Sequence, residues 1–356
     1  MIELDEKLVR YREFWDLKPV KKPFVGFDVG GWFPFQRYAD LRTIEEKGYI
    51  DPECLNAKRC LPDYAAYMAR CLEIEDDFIK GVCPISAIPW MEGILGCRLQ
   101  RSGQTVWAEE RKASWDELVN LTALPDHPWF KKYIEFVRVL TENAAGAYPV
   151  GVPILRGSAD VMGAIRGHTE SIMDLLECPA EAKALAESAA DALIQVTKEH
   201  HKATKPFHGG YFIEQYSMWA PGPLARLQED ATAVYSPTLY REIVQESDRK
   251  VAQAFPYSLI HLHSSSLFLL DDFLAIKEIG VFQINRDVGE MGMTELLPYL
   301  KRIQAAGRRI FLRGPLNAED FGLIAKNLSP VGLMVQSVVD STAEARELAA
   351  AAKRIF

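Results

Sequence analysis

The feature that most constrains the fold of this chain is the unbroken alternation of short apolar strands and amphipathic helices over its second half. From Tyr257 the order runs YSLIHLH, helical DDFLAIKEIG, VFQINRD, helical TELLPYLKRIQAAG closing on Gly307, RRIFLRGPL, AEDFGLIAKNL, GLMVQSVV and a last helix, STAEARELAAAAKRI. Parallel strands need a crossover of a dozen or more residues, and a helix between each pair supplies it. Read from the start, strands fall at about 24–29, 85–91, 150–156, 210–217, 258–264, 281–287, 308–313 and 332–338, each with a helix after it. This pattern predicts an α/β fold, a parallel eight-stranded (β/α) TIM barrel formed as one domain over residues 1–356. Residues 1–22 are a helical extension, because Leu8, Tyr11 and Trp15 recur at helical spacing and Pro19 ends the pattern. An open doubly wound sheet is the competing arrangement, but no G-x-G-x-x-G follows the first strand and the chain has no P-loop.

Composition narrows the partners. With 48% hydrophobic and 25% charged residues the chain has the material for a sizeable core and is unlike a disordered sequence. A net charge of −8 and a pI near 5.5 disfavour nucleic acid and anionic membrane surfaces, which need a concentrated basic face. The six cysteines, Cys54, Cys60, Cys71, Cys83, Cys97 and Cys178, include no CxxC pair, which suits reduced thiols. No apolar signal core opens the chain and no run of about 18 apolar residues occurs, so a cytoplasmic protein that does not span a membrane is expected.

The chemistry concentrates on YSLIHLHSSS, where His261 and His263 stand two apart in a strand. Residues i and i+2 of an extended chain share a face, so both imidazoles point one way while Ile260 and Leu262 point the other. At the mouth of a barrel such a pair either binds metal or catalyses; buried deeper, it hydrogen-bonds within the interior. Extending the same phase to every strand places Asp28, Arg156, Glu214, Tyr216, Gln283, Asn285, Asp287, Arg313 and Gln336 inward as well. A purely structural barrel would carry Val, Ile and Leu layers there, so these polar groups require a ligand, water or one another. Arg156 and Arg313 suit an anionic substrate group, with Asn285, Asp287 and Gln336 as further substrate contacts. The alternative for the arginines is an internal ion pair with Asp28, Glu214 or Asp287. Trp32, in the aromatic loop after the first strand, either meets the ligand or packs onto the body.

The run SPTLYREIVQES, the strand IHLHSSS, LLDDFLAIKEIG, VFQINRD, the GPLN loop and GLMVQSVVDSTAEA together resemble the C-terminal half of the uroporphyrinogen decarboxylase superfamily. The resemblance covers roughly Asp51 to the end of the chain. That superfamily includes true decarboxylases and methyltransferases that serve corrinoid proteins. GGWFPFQRY stands where true decarboxylases resemble MRQAGRYLPEY, and CPISAIPWME lacks their aspartate, so tetrapyrrole decarboxylation is disfavoured. In the corrinoid branch a zinc site is built from H-x-C in the fifth strand and a cysteine in the last. Here the matching positions are His261, His263 and the Gln336–Ser337 region, without the cysteines.

The resemblance therefore implies methyl transfer between a small anionic methylated substrate and a corrinoid carried by a partner protein. Zinc would be held by His261, His263 and Glu214, with a fourth position open. Zinc would polarise the methyl donor and Tyr216 would protonate the departing atom. Glu214, Tyr216 and His263 are the catalytic candidates. A metal-free carboxy-lyase, with arginines on substrate carboxylates and a His or Tyr as proton donor, is the alternative; a non-catalytic ligand-binding homologue is the third.

Overall fold

The computed structural model describes residues 3–30, 37–122 and 125–356. Its strands, in chain order, are β1 (Phe24–Val29), β2 (Tyr49–Ile50), β3 (Leu99–Ser102), β4 (Thr105–Ala108), β5 (Tyr211–Ile213), β6 (Met218–Ala220), β7 (Leu224–Gln228), β8 (Tyr257–Leu262), β9 (Val281–Asn285), β10 (Arg309–Gly314) and β11 (Leu333–Val339). Six of them form one parallel sheet in the order β1-β11-β10-β9-β8-β7. The strands are buried nearly end to end, as strands covered by crossover helices must be. Among the described residues no helix is long and apolar enough to cross a membrane.

Two of the expected strands are present only as fragments, and proline is the reason. The region expected at 85–91 turns into the helix Trp90–Ile94, and extended pairing there is limited to an isolated bridge, Val82 to Val150. Pro84 and Pro89 cannot donate to a central ladder. Pro153 interrupts 150–156 in the same way, leaving the bridge Val152 to Ile213. The stretch expected as a strand over 210–217 is instead one arm of an antiparallel hairpin, β5 with β6, turning through Glu214–Tyr216 and a left-handed Ser217. The parallel strand beside β8 is β7, which the sequence pattern did not single out.

One face of the six-stranded sheet divides into two levels. Phe24, Leu224, Leu259, Val281, Phe311 and Met334 build an apolar floor, sealed by Leu8, Tyr11, Phe14 and Trp15 of the N-terminal helix Leu4–Trp15. Specific bonds fix that helix: Trp15 Nε1 donates to Trp219 O at 2.8 Å, Tyr11 Oη donates to Ser217 O, and Arg309 donates to Phe14 O and Trp15 O. Tyr11→Phe should cost about 1–3 kcal/mol in urea denaturation, because it strands a buried carbonyl without changing the packing. An unaltered midpoint would show that the Tyr11 hydroxyl contributes nothing.

Above the floor the positions on this face become polar. Gln228 is level with His261, His261 with Gln283, Arg313 with Asn285 and Arg313 with Gln336. Outside the sheet, the long Ala-rich helix Pro179–Ala203 packs an apolar stripe into the outer core, starting on Pro179 at a helical first turn. That helix also buries His201, whose imidazole burial pushes down to about 4. The unfolded chain takes up a proton near pH 6.5 that the native state refuses, so this residue's contribution to stability is complete above about 6.5 and lost as the pH falls toward 4. His201→Gln should accordingly lose less stability than wild type between those limits in urea denaturation, and an equal loss would refute the assignment.

Candidate metal centre

Three side chains at the C-terminal ends of two neighbouring strands converge. His261 is the penultimate residue of β8, His263 follows the end of that strand, and Asp230 lies two residues beyond the end of β7. Among the described residues these are the His, Cys, Asp or Glu side chains that meet in a group of three, with ligand atoms within 4.8 Å of one another.

Their orientation is set from behind. Gln283 Nε2 donates to Asn285 Oδ1 at 3.2 Å, so the Gln283 oxygen faces His261 Nδ1, which must carry the proton. Asn285 Nδ2 donates to Asp287 Oδ1 at 2.8 Å, and Asp287 Oδ2 accepts from His263 Nδ1 at 2.5 Å. Both rings therefore present unprotonated Nε2 atoms when neutral, and these face each other at 3.0 Å. Asp230 Oδ1 lies 3.8 Å from each and is buried without a hydrogen-bond partner, while its Oδ2 accepts from Gln228 Nε2 at 2.6 Å. Three lone pairs thus point at one place with no donor among them, which only a cation or a proton resolves. Ligands of a tetrahedral zinc, with bonds of about 2.0–2.1 Å, lie roughly 3.3 Å apart, and the observed spacings of 3.0 and 3.8 Å bracket that value. The donor set fits a divalent ion.

Electrostatics separate the two imidazoles. Burial, then the Arg226 guanidinium and His263, hold His261 well below the usual imidazole value. Burial acts in the same direction on His263, but the Asp287 hydrogen bond and the Asp230 charge outweigh it and raise that group. The turn carrying Asp230 is clamped to the start of the helix Ser158–Arg166. Glu229 accepts from the Ser158 and Ala159 amides at 2.9 and 2.7 Å, and Asp160 accepts from the Ala231 amide at 2.8 Å. Gly157 makes that approach possible, since a Cβ there would lie 1.8 Å from a Glu229 oxygen.

The other expected site residues distribute as follows. Asn285 and Asp287 form the outer support of the histidines. Glu214, expected as the third ligand, turns away from them: it accepts from Tyr67 Oη at 2.8 Å and from Cys83 Sγ at 3.4 Å, so the carboxylate beside the pair is that of Asp230. Glu214 instead lines a cavity of about 50 Å³ with Asp28, Arg37, Tyr67, Lys80 and Gln336. Tyr216 is fully buried with its ring 6.0 Å from that of His261, and its hydroxyl accepts from Arg226 at 3.0 Å. Arg313 makes the internal pair, bonding Asp28 at 2.7 Å and Gln336 at 2.8 Å. Arg156 pairs with Glu92 at 2.7 Å, a partner the sequence did not suggest. Trp32 lies outside the described residues.

The sequence pattern does not single out Arg226, Gln228 and Asp230, because it places the parallel strand next to β8 at 210–217 while the structure has β7 there. The signal available was the alternation in LARLQED, whose inward residues Arg226 and Gln228 are polar and so do not read as a strand's core face.

Comparison with known proteins bears on the architecture. No family model matches the chain, and no curated protein matches it. A solved structure from Mesorhizobium loti, assigned as a dehydratase, overlaps with a TM-score of 0.40 at 10% identity, covering 92% of this chain and 58% of that one. A methyltransferase from Methanosarcina mazei superposes with a TM-score of 0.65 at 12% identity over 99% of both chains, so this chain has a methyltransferase-like α/β fold built on a parallel sheet.

Proposed function

We propose that the protein is a metal-dependent methyltransferase, in which Asp230, His261 and His263 hold zinc and a methyl group passes between a small anionic methylated substrate and a corrinoid borne by a partner protein. One observation carries this reading: two imidazole Nε2 atoms and an unpartnered, buried carboxylate oxygen converge at the end of the sheet. Zinc supplies Lewis-acid polarisation of the methyl donor when bound. The protein's own part is to lock both imidazoles through Gln283 and Asp287 and to offer a proton from Tyr216. Because Tyr216 Oη accepts from Arg226, its own hydrogen is left to donate.

Support for a protein-borne acceptor comes from Val234, Phe268 and Val288, which are 67%, 50% and 83% exposed on the segments following β7, β8 and β9, around the centre. Support for completion of the sheet as an eight-stranded barrel comes from the bonds Gly151 N to Val82 O at 2.7 Å and Gly157 N to Gln228 O at 2.9 Å, which link the broken segments to each other and to β7. A metal-free carboxy-lyase is the second reading, favoured by Arg37 and Lys80 on the cavity that Glu214 lines.

The test is elemental analysis of freshly purified protein and zinc titration, followed by methylation of cob(I)alamin from a panel of methyl donors with and without zinc. Zinc at one equivalent and zinc-dependent methylation are expected. A protein that binds no metal and releases carbon dioxide from a carboxylated substrate would replace this reading with the lyase.

A further inference from the structure

Arg226 is an anomaly for a buried charge. It projects inward from β7 with only 2% of its surface exposed, yet among the described residues no carboxylate oxygen lies within 4.0 Å of its nitrogens. Its contacts are neutral: Tyr216 Oη at 3.0 Å, Gln215 Oε1 at 3.3 Å and Leu155 O at 3.5 Å. Its Nε is buried with no partner at all. The two inward arginines singled out from the sequence each have a counter-ion: Arg313 has Asp28 and Arg156 has Glu92. A desolvated guanidinium without a counter-ion is unfavourable to the folded protein. A fold that keeps one beside a candidate reaction centre has placed it for an anion that arrives later.

The neighbours say where that anion would enter. Gln215 lines the cavity that also holds Glu214 and Gln336, and its amide oxygen occupies the guanidinium at a long 3.3 Å. A carboxylate oxygen in its place would make a shorter, charge-assisted bond, and the planar fork can take two. The same Nη2 that meets Gln215 also donates to Tyr216 Oη, and the Tyr216 ring stands 6.0 Å from that of His261. An acid gripped by Arg226 would therefore lie between the cavity and the Asp230–His261–His263 centre.

We infer that Arg226 is the carboxylate-binding residue of the substrate site, displacing Gln215 Oε1 when the substrate enters, and that the substrate is a small carboxylic acid. This deepens the methyltransferase reading by naming its substrate class, and it moves the anion contact from Arg156 and Arg313 to a residue on a different strand.

The experiment uses the full chain freed of metal by chelation, so that anions cannot bind through zinc. Acetate is the probe, acetamide its uncharged equivalent, and ionic strength is held constant with chloride. Acetate should raise the melting temperature of wild type and acetamide should not. In Arg226→Met acetate should bind on the order of tenfold to hundredfold more weakly, and Arg226→Lys should recover part of the difference. Without any ligand, Arg226→Met should melt at the same temperature as wild type or higher, because an uncompensated charge has gone. A merely structural arginine predicts the reverse, a lower melting temperature. That result, or an acetate shift that survives in Arg226→Met or is matched by acetamide in wild type, overturns the inference. Failure here leaves the metal centre standing, and failure of wild type to bind zinc leaves the Arg226 site standing, so the two readings fall separately.

Discussion

Zinc titrated into Asp230→Asn is expected to bind more than a hundredfold more weakly than to wild type, while Glu214→Gln binds it as wild type does. Loss of an outer-shell partner of a metal ligand costs about 10–100-fold in affinity, and loss of one of three protein ligands should exceed that. Asparagine keeps a carbonyl oxygen for the contact from Gln228 but removes the charge that faces the two Nε2 atoms. Glu214 has both its oxygens engaged, by Tyr67 and Cys83, and has no part in the cluster of three. Calorimetric titration of the two variants side by side separates them. Equal, tight binding by Asp230→Asn would dismiss the centre as drawn, and a loss confined to Glu214→Gln would return the third ligand to the hairpin.

Removal of the Arg313 side chain should be felt first in stability. The guanidinium is 1% exposed and bonded to Asp28 and Gln336, so Arg313→Ala leaves a carboxylate facing the interior without its counter-ion. Breaking a buried pair from one side costs about 3–5 kcal/mol, and because the Asp28 side chain is 14% exposed the loss should sit at the lower end. Asp28→Asn in the same chain should restore part of it. Urea denaturation of the single and double variants measures this directly. A single variant as stable as wild type, with ligand binding impaired, would show that Arg313 serves the substrate and that its pair with Asp28 is incidental.

The parts of the fold that could be read from sequence are those whose strands alternate without interruption. In β8, β9, β10 and β11 the apolar residues facing the helices fix the phase, and that phase placed His261, His263, Gln283, Asn285, Arg313 and Gln336 on the inner face. Proline-broken segments around Pro84, Pro89 and Pro153 could not be located to the residue, because their pairing is supplied by neighbours far away in sequence. The choice between Glu214 and Asp230 was beyond local pattern altogether. Each is an acid at the end of a short strand-like run, and only the knowledge that β7, not β5, lies against β8 separates them. Arg226 was hidden for the same reason, since a polar inward face looks like loop until the strand next to it is known.

The seal of the apolar floor has a consequence for how the chain is made. The N-terminal helix and β1 are synthesised early, but their partners are Arg309 and β11; Arg309 and Phe14, which it bonds, are 295 residues apart. At about 5–20 residues per second, a ribosome needs roughly 15–60 s to deliver those partners. Through that interval Tyr11, Phe14, Trp15 and Phe24 have no finished core to enter and β1 has no strand to pair with, so the nascent chain presents the apolar face of an amphipathic helix and an open strand edge to its surroundings. Chains stalled before β11 should be held by chaperones that recognise such segments, and the floor should be among the last parts of the molecule to close.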